Sequence, residues 1–147
     1  MSSLFSGGGK RFLFQDSARH FLPLPTLKRL LDAMSMTKLN VMHWHLTDDS
    51  AFPVQSLLYP QLSEKGAFHP KLVYSQADLR EVVAYATERG VRVLPEIDIP
   101  GHSSFGKGMP GITIAACGGT LDPTQDETYD VLLKFLQVRH SRARTLL

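Results

Sequence analysis

Apolar positions along the chain repeat one pattern three times: a short branched or aromatic run, then residues spaced to line one face of a helix. The first run is Arg11–Asp16 (R-F-L-F-Q-D), and Pro23 and Pro25 interrupt the chain after it. A helix follows over about Thr26–Met36, where Leu27, Leu30, Leu31 and Met34 stand at i, i+3, i+4 and i+7. The second run is Leu39–Leu46. A long connection, Asp48 to Tyr74, comes next, punctuated by Pro53, Pro60, Gly66 and Pro70; its Phe52, Tyr59 and Phe68 rings predict a packed loop. Ser75 with Asp78 reads as an N-cap with an acidic first turn, and Leu79, Val82, Val83 and Ala86 repeat the helical spacing to about Arg89. Gly90 falls where a helix C-terminus wants positive φ. The third run, Val91–Ile97, leads through a glycine-rich loop, Gly101 to Gly119, into a helix over roughly Pro123–Gln137 with Tyr129, Leu132, Leu133 and Leu136 as its apolar face.

Three strand-then-amphipathic-helix units in succession predict an α/β protein with parallel strands and helical crossovers. Each strand's downstream end carries polar residues: Asp16 and Arg19, then Asp48 and Asp49, then Glu96, Asp98 and His102. That clustering points to a (β/α)8 barrel, whose chemistry sits at that end. A small doubly wound sheet is the alternative, but no G-x-G-x-x-G follows the first strand. Eight units need roughly 250 residues, and this chain has room for three. The expectation is therefore the first three βα units of a TIM barrel, truncated.

Strand parity sorts the second run into two faces, with Met42, Trp44 and Leu46 on one and Val41, His43 and His45 on the other. Glu96 and Asp98 share a face of the third strand, and the Pro-Gly turn before His102 can fold that imidazole back over the strand ends. An Asp48–His102 contact would hold the ring and fix its protonation. His43 and His45 admit two readings: a hydrogen-bonded polar layer inside the barrel, or ligands of a metal-dependent hydrolase, which would need further ligands from later strands. The polar layer is the expectation, so no metal and no cofactor is assigned.

Composition narrows the partners. The 43% hydrophobic and 20% charged content belongs to an ordinary globular domain, and 147 residues fit one. Arg139, Arg142 and Arg144 lie in the last nine residues; leaving those three out of 16 basic against 14 acidic groups turns the surplus into a deficit of one. The body is not basic, and no nucleic-acid partner is expected, since the tail lacks interleaved aromatics. Cys117 is alone and cannot form an intrachain disulfide. The opening M-S-S-L-F-S-G-G-G-K lacks the apolar core of a signal peptide, and no run reaches transmembrane length.

Four ordered blocks resemble the family 20 β-N-acetylhexosaminidases: R-F-L-F-Q-D-S-A-R-H-F-L-P (Arg11–Pro23), K-L-N-V-M-H-W-H-L-T-D-D-S-A-F-P (Lys38–Pro53), Y-P-Q-L-S-E-K-G-A-F (Tyr59–Phe68) and G-V-R-V-L-P-E-I-D-I-P-G-H (Gly90–His102). The resemblance covers about Arg11 to Val138, with Leu121-Asp122-Pro123-Thr124 also similar, and departs at Phe12 and Phe105, where the family usually has glycine and tryptophan. It divides the chain into a flexible segment 1–10, a partial catalytic barrel 11–138 and a divergent basic tail 139–147. It implies hydrolysis of terminal N-acetylhexosamine from glycans or glycolipids by substrate-assisted catalysis, an exception to the two-carboxylate retaining scheme. A homodimer is compatible with the family in the complete protein, whose members are usually lysosomal, secreted or periplasmic. By resemblance, Asp48 and His102 support the catalytic acid, Arg11 binds sugar hydroxyls and Asp98 lies close to them. The family's aspartate–glutamate pair belongs on the fourth strand after a His-x-Gly-Gly motif, which this sequence does not contain. Asp126-Glu127 has the right letters in the first turn of a predicted helix, where carboxylates favour the helix dipole. The chain is therefore expected to be inactive alone, and a non-catalytic interaction fragment is the further alternative.

Overall fold

The computed structural model describes residues 9–142. Most of the flexible segment expected before Arg11, and the end of the basic tail, lie outside them. Three parallel strands form one sheet in the order β1 (Phe12–Asp16), β2 (Val41–His45) and β3 (Arg92–Glu96). Their register is level: Phe12, Val41 and Arg92 share one rung, and Asp16, His45 and Glu96 the last. Helix α1 (Leu24–Met36) connects β1 to β2. The connection from β2 to β3 carries a short helix α2 (Gln61–Gly66) and then α3 (Gln76–Thr87). The two crossovers are the expected strand–helix–strand units.

Local chemistry accounts for these helices. α1 begins two residues before its expected start because Pro25, in its first turn, lacks an N–H that would have no intrahelical partner there. α3 starts with a reciprocal cap: the Asp78 N–H donates to Ser75 Oγ at 3.1 Å, and the Ser75 N–H donates to Asp78 Oδ2 at 2.7 Å. Both helices end alike. Leu39 N–H reaches back to Met34 O at 2.9 Å with Lys38 at φ 59°, and Val91 N–H reaches Ala86 O at 2.9 Å with Gly90 at φ 68°. This closure turns the chain at once into the next strand. Met34 and Ala86 are buried, as is Val91, with Leu39 packed against the same core.

Met42, Trp44 and Leu46 point to the helix side, as strand parity requires, and join Leu27, Leu31, Met34, Leu79, Val82 and Ala86 in one buried cluster. Trp44 Nε1 donates to Ser17 Oγ at 2.8 Å, which satisfies the one polar atom of that ring. Across the outside, Lys28 pairs with Glu81 at 2.5 Å, and Asp32 accepts from Arg89 and Tyr85.

Three expectations change. The connection Asp48–Tyr74 is not bare loop: it holds α2 and an isolated parallel bridge between Val54 and Tyr74, and Phe68 lies on the surface while Phe52 is buried. The glycine-rich stretch after β3 folds into a turn of helix α4 (Phe105–Gly108) and a small antiparallel pair, β4 (Thr113–Ile114) with β5 (Thr120–Leu121). The last helix, α5, spans Asp126–Arg142 and so continues past the expected start of the divergent tail. It buries Val131 and Phe135, not Tyr129, Leu133 and Leu136, which are exposed. The reason is Phe135, whose ring packs edge-on against Phe52 and Phe105 and turns that side of the helix inward. The other sheet face is also open: Phe12 and Phe14 are more than half exposed at 53% and 55%.

The paired helix ends give a test. A left-handed residue other than glycine costs about 1–2 kcal/mol. Lys38→Gly should therefore raise the thermal midpoint, by up to about 1 kcal/mol of stability after the added chain entropy is subtracted. Gly90→Ala, at the matching position, should lower it. Denaturant titration of both variants measures the two signs, and equal signs would contradict the account.

Candidate active site

The last rung of the sheet is polar on its open face. Asp16, His45 and Glu96 stand side by side there, above a rung of Phe14, His43 and Leu94. Glu96 Oε2 bridges two rings of β2, His43 Nε2 at 2.9 Å and His45 Nδ1 at 2.6 Å. The other nitrogen of His45, Nε2, faces Asp48 Oδ2 at 3.4 Å. These two histidines therefore form the hydrogen-bonded polar layer expected of them.

Just above that rung, Asp48 gathers three segments. Its Oδ2 accepts from Arg19 Nη2 at 2.7 Å, out of the loop after β1, and from His102 Nδ1 at 3.1 Å, out of the loop after β3. Ser50 N–H donates to Oδ1 at 3.3 Å. Asp16 orients Arg19, accepting from its Nη1 at 2.6 Å and from the backbone N–H groups of Ala18 and Arg19 at 3.0 Å. His102 and Ser104 both adopt left-handed backbone, at φ 52° and 55°. That strain is held by the His102–Asp48 contact and by Ser104 Oγ donating to Asp49 O at 3.0 Å.

Electrostatics follow from this crowding. Burial alone would raise the Asp48 carboxyl, but hydrogen bonds from Ser50 and His45 and the charges of Arg19 and His102 hold it below the usual carboxylate range. Glu96 is likewise held down, its burial outweighed by His45 and His43. Burial disfavours a charged His45, yet its bonds to Glu96 and Asp48 prevail and push its pKa up.

The structure brings His102 to Asp48, and sets the Asp98 carboxylate beside His45 and Glu96, its backbone N–H donating to Thr47 Oγ1 at 3.3 Å. The Arg11 backbone stands apart from them. Arg11 precedes β1 and pairs its backbone with Asn40, a strand's length of about 16 Å from the polar rung. The cation at the site is Arg19, which the sequence reading noted only as a polar residue beyond the first strand. The signal available was its place downstream of β1, where the other site residues lie on their own strands. Asp126 and Glu127 are exposed at the start of α5, and among the described residues no hydrogen bond or ion pair joins them to this cluster.

Among the described residues two trios could gather a cation: His45, Glu96 and Asp98, and Asp48, Asp49 and His102, each with ligand atoms within 4.8 Å of one another. Either would first have to give up the hydrogen bonds described above, since both nitrogens of His45 already face carboxylates.

Residues 11–138 match the model of the glycosyl hydrolase family 20 catalytic domain. The chain belongs to that family. It is 44% identical over 137 residues to beta-hexosaminidase A of Caenorhabditis briggsae, covering 86% of this chain and 25% of the relative. It is 41% identical over 136 residues to beta-hexosaminidase subunit beta of Homo sapiens, covering 86% and 24%. Among solved family 20 structures, a Bacteroides fragilis beta-N-acetylhexosaminidase superposes with a TM-score of 0.81 at 32% identity, over 93% of this chain and 29% of that one. A Vibrio harveyi exo-beta-N-acetylglucosaminidase, solved with N-acetylglucosamine, gives 0.79 at 30% identity, over 93% and 26%. The family 20 chain described here thus spans about a quarter of the length of these curated relatives. No helix among the described residues is long and apolar enough to cross a membrane.

The shifted groups set a pH window. Asp48 and Glu96, lowered in the folded state, stabilise it above the ordinary carboxylate value of about 4, an effect lost as pH falls through their folded pKa values. His45, raised, contributes fully below about 6.5 and loses its contribution as pH rises through its folded pKa. The stability difference between the wild-type chain and His45→Gln should therefore peak between these limits and shrink on both sides. Urea titrations at a series of pH values measure it; a difference independent of pH would contradict the assignment.

Proposed function

We propose that residues 11–138 form the first three strand–helix units of a (β/α)8 family 20 barrel and supply the supporting side of a β-N-acetylhexosaminidase site. The single observation that carries this is the Asp48–His102 contact of 3.1 Å, made between two loops at the downstream ends of adjacent parallel strands. Sites of such barrels are built there. The substrate class is a terminal N-acetylhexosamine on a glycan or glycolipid, in keeping with the hexosaminidase relatives.

In this reading Asp48 accepts the Nδ1 proton of His102 and so leaves Nε2 as the atom turned toward the reaction. His102 then supports a carboxylic acid supplied by a later strand, which protonates the leaving oxygen. The nucleophile is the substrate's own acetamido oxygen. Asp98 lines the same end of β3. Arg19, half exposed and anchored by Asp16 and Asp48, presents its remaining N–H donors to a sugar hydroxyl. Arg11, by resemblance, binds sugar hydroxyls from the start of the first strand. The chain alone hydrolyses no glycoside in this reading, because Asp48 and His102 can tune an acid without replacing it.

A chromogenic N-acetylglucosaminide tests this with the 147-residue chain beside a version extended to a complete barrel. Only the extended protein should turn over. In it, Asp48→Asn and His102→Ala should each lower kcat by about 10- to 100-fold, less than the 10²–10⁴ typical of general acid catalysis itself. Arg19→Ala should raise KM, and Arg11→Ala, removing the guanidinium that by resemblance binds sugar hydroxyls, should raise it too. Turnover by the short chain that disappears in Glu127→Gln would overturn the proposal, and turnover lost on chelation would favour a metal at His43 and His45.

A further inference from the structure

The glycosidase reading employs Asp48 and His102 but leaves unexplained the buried imidazole beneath them. We infer that His45 is a positioning residue of the same site, a doubly protonated ring that ties the Asp48 carboxylate to Glu96 and so transmits the sheet's rigidity to His102. The inference rests on the proposed function for its purpose, though not for its geometry.

The geometry is a connected line. Glu96 on β3 faces Nδ1 of His45 at 2.6 Å; Nε2 of His45 faces Asp48 Oδ2 at 3.4 Å; Asp48 Oδ2 faces Nδ1 of His102 at 3.1 Å. A neutral imidazole carries one N–H, so one of its nitrogens would turn a lone pair toward an anionic oxygen. Only the imidazolium donates to both. The side chain is 6% exposed, so water does not supply the missing proton partner. The groups facing the ring are Glu96 from β3 and Asp98 just beyond it, Asp48 beyond β2 with Arg19 on its far side, and Asp16 and the Phe14 ring from β1, the latter at 5.7 Å. Carboxylates predominate among them, and His43 reaches Glu96 from the next rung.

This arrangement has a function that packing alone lacks. Asp48 is in a loop, and its carboxylate could rotate about its own bonds. His45 is on the central strand, hydrogen-bonded on both sides by β1 and β3. A charged donor from that strand to Oδ2, with Ser50 N–H on Oδ1, sets the plane of the carboxylate. Its orientation toward His102 then follows from the sheet rather than from the loop.

The test needs no sugar. The full chain, labelled with ¹⁵N-histidine, is observed by long-range ¹H–¹⁵N spectroscopy near pH 7.5, about one unit above the value of a free imidazole. Both ring nitrogens of His45 should carry protons. Glu96→Gln, which keeps shape and removes charge, should lower the proton affinity of His45 at least about tenfold and move the ring signals of His102, which Glu96 does not touch. Glu96→Asp, which keeps charge and loses reach, should preserve the doubly protonated ring. A purely structural role predicts the reverse order, with Gln harmless and Asp damaging, and that result would overturn the inference. So would a singly protonated His45 in the wild-type chain. Where line widths obscure ring protons, exchange of the imidazole C2 hydrogen, read residue by residue by mass spectrometry, reports the same titration on dilute protein. Failure here leaves the hexosaminidase proposal standing, and an inactive extended barrel leaves the ring measurement standing.

Discussion

One carboxylate oxygen, Oδ2 of Asp48, ties together the side chains that follow all three strands of the sheet. Donors reach it from beyond β1, from β2 and from beyond β3. The side chain is 5% exposed, so each donor replaces water that the anion would otherwise hold. An acceptor this buried and this well supplied stays ionised, and its charge then holds Arg19 and His102 where they are. The left-handed backbone at His102 and Ser104 is tolerable because those contacts over-determine it. Removing the carboxylate would leave Arg19 held by Asp16 alone and take from His102 the shorter of its two carboxylate contacts.

The helix side of the sheet makes this possible. Met42 and Trp44 alternate with His43 and His45, so one five-residue strand serves both the hydrophobic core and the polar cluster. Packing on one face fixes the register, and a register slip of one residue would exchange the two faces outright. The bare backbones of Gly66 and Gly108 contribute in the same way from outside: a Cβ on Gly108 would lie 2.8 Å from the Leu62 Cα, so α2 and the loop carrying His102 sit closer than side chains would allow.

What the sequence made legible was what repeats. Period-two alternation placed His45 opposite Trp44, and period-3.6 spacing placed Leu27, Leu31 and Met34 inward, both from local geometry. The site was legible where its residues sat at the end of a strand. Arg19 was underread because it lies three residues beyond β1, and it is folded back by Asp16, which bonds the Ala18 and Arg19 backbone and the guanidinium, and by Asp48. Arg11 was carried over from a motif match, which fixes a residue's position along a strand but not where its side chain ends. The inward face of α5 could not be read from spacing either. Tyr129, Leu133 and Leu136 fit the helical template as well as Val131 and Phe135 do, and the choice belongs to the Phe52 and Phe105 rings, distant in sequence.

The division between a finished helix side and an open strand face bears on how such a chain emerges from the ribosome. Every residue of the core beneath α1 and α3 lies within three consecutive units, so contacts form between neighbours in synthesis order, with little loop entropy to overcome. The outer layer can therefore consolidate during translation, while Phe12, Phe14 and Leu94 still face solvent. The free edge of β3 at that moment is a row of unpaired backbone groups, a ready template for whatever strand is made next.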